Sequence, residues 1–181
     1  TRWLKKPVAV TSKWAMLDAK VQSSGGTNWK RQPDGSLLAT GKAPNKEVVT
    51  LTADAPPRVA ALRVEALADS SLPRNGPGRA DNGNFALGDI QVRLLRKGAK
   101  AQRLSLQSAR ATHQQNSGSL SVSASIDGDP ISGWAVDAGG IGKDQAAVFD
   151  LQTPVSGRDC QIEVTLVFEH PNTRHAMGRI R

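Results

Sequence analysis

Ile162-Glu163-Val164-Thr165-Leu166-Val167-Phe168 is the stretch that decides the fold. Ile162, Val164, Leu166 and Phe168 occupy every second position, so in an extended chain they line one face, and Glu163, Thr165 and Val167 line the other. Residues of these types suit a pleated, half-buried surface. The same period of two recurs in Val48-Val49-Thr50-Leu51-Thr52, and from Val59 to Leu67, Ile90 to Leu95, Leu120 to Ile126 and Ala147 to Leu151. Each is read as a strand. Between them stand turn clusters at Ser23 to Asn28, Pro33-Asp34-Gly35, Asp54 to Pro57, Pro73 to Asn84, Asp127 to Pro130 and Gly139 to Gly142. No apolar period of 3.6 residues runs for four turns, so helices are expected to be short or absent. Many short strands between Gly and Pro turns predict two packed sheets, an all-β sandwich spanning residues 1–181 as one domain.

At 181 residues, with 38% hydrophobic and 22% charged residues, the chain is long enough to bury a core. It lacks the roughly 20 consecutive apolar residues of a spanning helix, so no membrane span is expected. Thr1 to Lys6 lack the pattern of a signal peptide and read as folded sequence. The lone Cys160 excludes an internal disulfide framework, and its apolar surroundings predict a buried, inert thiol.

Charge is unevenly spread. Lys plus Arg number 24 against 16 Asp plus Glu, a formal +8. Between Asp89 and Asp127 there is no acid, yet Arg93, Arg96, Lys97, Lys100, Arg103 and Arg110 fall there. From Asp127 to Asp159 there are six Asp against Lys143 and Arg158. A segregated field of this kind draws in polyanions, and solvated strand faces are the plainer reading of the same charges. With no Tyr and few aromatic residues to stack bases, nucleic acid is not the expected polyanion.

Two segments carry the recognisable pattern. One is the Gly-rich connection Pro73-Arg74-Asn75-Gly76-Pro77-Gly78-Arg79-Ala80-Asp81-Asn82-Gly83-Asn84-Phe85, and long loops on a sheet scaffold often carry binding residues. The other is Ile126-Asp127-Gly128-Asp129-Pro130-Ile131-Ser132-Gly133-Trp134-Ala135-Val136, a carboxylate-bearing turn followed by an aromatic anchor. Together with the closing His175-Ala176-Met177-Gly178-Arg179-Ile180-Arg181, these motifs resemble an accessory domain of large planctomycete-type secreted proteins that also carry a haem c domain. The resemblance runs from Trp3 to Arg181 and implies a secreted, sugar-binding-like role. Asp127 to Trp134 is also similar to the Asp-Gly-x-x-x-Thr-x-Trp turn of discoidin and galactose-binding-like domains, with Ser132 and Gly133 as departures. That likeness implies a jelly-roll sandwich binding carbohydrate or lipid at loop tips, often with a structural calcium. Asp127 and Asp129 are its candidate ligands here, because hard cations favour oxygen-rich loops.

Several side chains are candidates for ligand contact. Trp29, followed by Lys30 and Arg31, suits ring stacking beside anion pairing, with Trp14 a second candidate platform. Trp3 is placed in structure, and Trp134 in the core under its loop. Arg74 and Arg79 sit in the Gly-rich loop, and two roles fit Arg79: a bidentate fork for a ligand, or a brace for loop carbonyls. Asn82 and Asn84 equally suit sugar contacts or turn positions. His113, His170, His175 and Cys160 form no zinc or nucleophile pattern, so an enzyme is not expected. The expectation is therefore a non-catalytic, monomeric, secreted module for an acidic or sulfated polysaccharide, with a docking domain of a larger protein as the alternative.

Overall fold

The computed structural model describes residues 14–129 and 131–181, and Trp3, Lys5, Lys6, Lys13 and Pro130 lie outside them. The strands are β1 (Lys20–Ser23), β2 (Asn28–Arg31), β3 (Leu37–Thr40), β4 (Glu47–Asp54), β5 (Arg58–Ala66), β6 (Ala86–Leu87), β7 (Asp89–Arg96), β8 (Gln102–Leu104), β9 (Leu106–Ala111), β10 (Trp134–Ala135), β11 (Gln145–Ser156), β12 (Cys160–Phe168) and β13 (Arg179–Ile180). One antiparallel sheet has the order β1-β4-β12-β7-β8 and another β2-β3-β13-β5-β11-β9, with β6 and β10 forming a short pair. The fold is all-β and sandwich-like.

The core follows from the alternation. Ile162, Val164, Leu166 and Phe168 of β12 are buried with Ile90, Val92 and Leu94 of β7 in one cluster. Val59, Val64, Ala147 and Phe149 from the six-stranded sheet belong to the same cluster. Cys160 lies in it at 6% exposure, as expected. Val49, Leu62 and Leu151 complete the facing rows. Fully burying each large apolar side chain contributes about 1.5–3 kcal/mol.

One expected strand is absent. Leu120 to Ile126 alternates in sequence, but Val122–Ile126 forms a 3-10 turn. Ser125 Oγ donates to the Val122 carbonyl at 2.6 Å, a local bond that competes with a ladder. The other helical piece is the 3-10 turn Pro73–Asn75. Among the described residues, no helix is long and apolar enough to cross a membrane.

Register fixes what the five-stranded sheet presents outward. Gln22 pairs with Thr50, Thr50 with Thr165, and Thr165 with Gln91, giving one polar row across four strands. Beside it runs Lys20, Thr52, Glu163, Arg93 and Arg103 across all five. The connection at 55–57 and the turns at 97–101 and 157–159 form one end of the sandwich. The first and last of these are tied by the Ala55 N–H to the Cys160 carbonyl and the Gly157 N–H to the Pro57 carbonyl.

Candidate functional site

The Gly-rich connection is a knot held by its own polar groups. Gly78 packs so tightly that a Cβ there would lie 1.9 Å from the Asn84 carbonyl oxygen, a place only glycine fills. Its N–H donates to the Gly83 carbonyl, and the Arg79 N–H donates to that of Ala176. The buried Arg79 guanidinium donates to Thr27 Oγ1 at 2.7 Å and to the Gly41 carbonyl at 2.8 Å. Of its two possible roles, the brace is the one these bonds describe. Burial draws the Arg79 pKa down, and the charge of the buried Glu47 works against that shift.

Asn84 is also a brace. It is 5% exposed, its Oδ1 accepts the Val136 N–H at 3.0 Å, and its Nδ2 donates to Gln115 Oε1. Asn82 Oδ1 accepts the Asn84 N–H, and Asn82 Nδ2 donates to Asp137. Phe85 meets the fully buried Trp134 edge to face, with centroids 4.9 Å apart. The Trp134 indole N–H donates to the His113 carbonyl, so this aromatic anchors the core as expected. Arg74, at φ 50°, is exposed, and its side chain makes no hydrogen bond or ion pair among the described residues.

The other candidates do not gather around this loop. Trp29 and Lys30 are neighbours in β2, so their side chains leave opposite faces. The Trp29 ring, expected on the surface, packs partly buried against the core, while Lys30 is exposed. Arg31 donates to the Ala19 and Gly35 carbonyls and pairs with Asp18. Trp14 is 44% exposed.

Asp127 and Asp129 form successive Asx turns, Asp127 Oδ1 accepting the Asp129 N–H and Asp129 Oδ1 the Ile131 N–H. Ser132 Oγ lies 3.0 Å from both Asp127 oxygens. Among the described residues, no three His, Cys, Asp or Glu side chains gather as a metal set. A calcium ion takes 6–8 oxygens, so the pair would need carbonyls and water to complete its shell.

Arg31, Arg63, Arg93, Arg110, Arg174, Arg179 and Arg181 all stand in ion pairs, Arg174 holding Asp81 through two bonds. None of Arg58, Arg96, Lys97, Lys100, Arg103 and Arg158 is in an ion pair among the described residues. Those cations occupy the end built by the loops at 55–57, 97–101 and 157–159, together with the adjoining β8. A groove of about 540 Å³ opens there, lined by Arg96 and Lys97 with Asp54 and Asp159, and with Cys160 at its wall. The acid-free stretch signalled most of these cations in sequence. Arg58 and Arg158 lie outside it and join only through the topology.

Fold and site thus define an all-β, sandwich-like domain with a braced loop knot and an end of unpaired cations. Comparison with known proteins finds no family model, curated protein or solved structure that matches it.

Proposed function

We propose that this domain is a non-catalytic module that binds an acidic or sulfated polysaccharide within a secreted, multidomain protein. On this reading its sandwich is a jelly roll of the galactose-binding, discoidin-like kind. The observation that carries the reading is the cluster of cations left without acidic partners. Arg96, Lys97, Lys100, Arg58 and Arg158 share one end, where Asp54 and Asp159 line the groove. Surface cations left unpaired in one region raise the local potential and attract a chain of negative groups. Arginine adds the fork that matches carboxylate or sulfate oxygens. The polar row Gln22, Thr50, Thr165 and Gln91 then offers hydrogen bonds to sugar hydroxyls along the outer sheet face.

A docking role within a larger protein is favoured by a separate observation, the exposure of the large apolar side chains Trp14, Met16 and Ile131. Affinity electrophoresis against sulfated, carboxylated and neutral polysaccharides of matched length separates the two. Retention by the first two supports polysaccharide binding, equal retention by all three removes the electrostatic argument, and no retention leaves the docking role.

A further inference from the structure

Toward the other end of β7 from Arg96 and Lys97, where β8 and β9 meet the Asp127 turn, lies a second and smaller notch of about 320 Å³. Its size falls at the small end of pockets for small molecules, where one sugar ring fits. Polar groups converge on it from three directions: Asp89 and Gln91 of β7, Arg103 of β8, and Asp127 of the turn. Leu106 and Ile126, both half-buried, supply apolar wall. A pyranose ring needs this combination of an apolar surface for its C–H face and a rim of donors and acceptors for its hydroxyls.

The rim is already oriented. Gln91 Nε2 donates to Asp89 Oδ2 at 2.8 Å, which fixes the amide and leaves Gln91 Oε1 and Asp89 Oδ1 with no donor among the described residues. Ser132 and the Asp129 N–H hold the Asp127 carboxylate in place. Arg103 makes no side-chain hydrogen bond or ion pair among the described residues, so its guanidinium is open to a ligand. Two carboxylates against one guanidinium make the notch net negative, and this decides the ligand. A carboxylated or sulfated ring would be repelled by Asp89 and Asp127, whereas a neutral ring can donate hydroxyls to both and accept from Arg103. Gln91 also begins the outward row that continues through Thr165 and Thr50 to Gln22, a path of about 14 Å at the ~4.8 Å strand spacing.

We infer that this notch binds one neutral pyranose unit of the polysaccharide, while the cations at the far end of β7 take its anionic groups. The inference rests on the polysaccharide-binding reading and narrows it to a chain that mixes unsubstituted and anionic sugars. The test is a titration of the ¹⁵N-labelled domain with methyl β-glucoside, methyl β-galactoside and glucuronate, read by amide shifts. A neutral glycoside is expected to move the amides of 89–91, 103–106 and 126–128, and glucuronate to move them less. Arg103→Ala and Asp89→Ala, checked for an unchanged spectrum elsewhere, are each expected to weaken that binding about tenfold or more. Shifts that map elsewhere, no shift with either glycoside, or glucuronate outdoing both overturns the inference. Retention by a sulfated polysaccharide without notch shifts leaves the polyanion reading standing alone. Notch shifts without such retention leave the notch and remove the polyanion.

Discussion

Replacing Asn84 by Ala separates a ligand contact from a structural brace. The substitution removes the acceptor of the Val136 N–H, a bond of 3.0 Å between a residue 5% exposed and one 0% exposed. An orphaned buried donor costs about 1–3 kcal/mol. The lost Asn84 Nδ2 to Gln115 Oε1 bond, 3.3 Å and partly buried, adds about 0.5–1 kcal/mol. A total of about 2–4 kcal/mol corresponds to a Tm fall of roughly 5–15 °C in a domain of this size. Differential scanning calorimetry at neutral pH measures it, with the ratio of calorimetric to van't Hoff enthalpy checking two-state behaviour. A fall below about 2 °C, which is less than 1 kcal/mol at this size, refutes the brace and returns Asn84 to the ligand candidates.

Other expectations follow from the same contacts. Arg79→Met removes the hydrogen bonds to Thr27 and the Gly41 carbonyl together with the positive charge near the buried Glu47, and is expected to cost on the order of 3 kcal/mol; adding Glu47→Gln should recover part of the loss in urea unfolding, and no recovery contradicts the electrostatic coupling. Asp34 and Asp69 are held below the usual carboxylate range by hydrogen bonds from Ser36 and Ser71 and by Arg179, and Asp150 by Ser108 and Arg110. Burial works upward on Glu65, but Arg181 and Arg63 outweigh it. Folded values below unfolded ones give stability that is complete above about pH 4 and lost as pH falls through the folded values, so Tm should drop steeply only in that acid window. Burial and the neighbouring His175 lower the pKa of His170, which adds a smaller loss of stability as pH falls below about 6.5; His170→Gln should abolish that first step alone. A structural calcium at Asp127 and Asp129 requires EDTA to lower Tm and calcium to restore it, and an unchanged Tm removes the site.

Strands β4, β5, β7, β11 and β12 are legible because alternating apolar residues face one core. Lys20-Val21-Gln22-Ser23 and Asn28-Trp29-Lys30-Arg31 carry too little alternation to be read, and they become strands through pairing with β4 and β3. Leu120 to Ile126 misleads because Ser121, Ser123 and Ser125 fill its alternate positions and the Ser125 hydroxyl turns back on its own chain. The field of cations between residues 90 and 126 is visible in composition, but its neutralised members are not. Arg93 is paired by Glu163, 70 residues away, and Arg110 by Asp150, 40 residues away. Arg79 has two sequence-level readings because its partners Thr27 and Gly41 lie 52 and 38 residues off, beyond any local pattern. Trp29 next to Lys30 suggests one surface, and strand geometry places the two on opposite faces.

The measurement that bears most directly on the polyanion account is the salt dependence of binding to a sulfated polysaccharide, by calorimetry, for the native domain and for the Arg96→Ala, Lys97→Ala, Lys100→Ala variant. Affinity of the native domain should fall steeply as salt rises, because exposed charges are screened over about 8 Å at physiological ionic strength. The variant, with unchanged Tm, should bind more weakly at low salt and show a shallower slope. Equal affinity and equal slope for the two proteins would contradict the account.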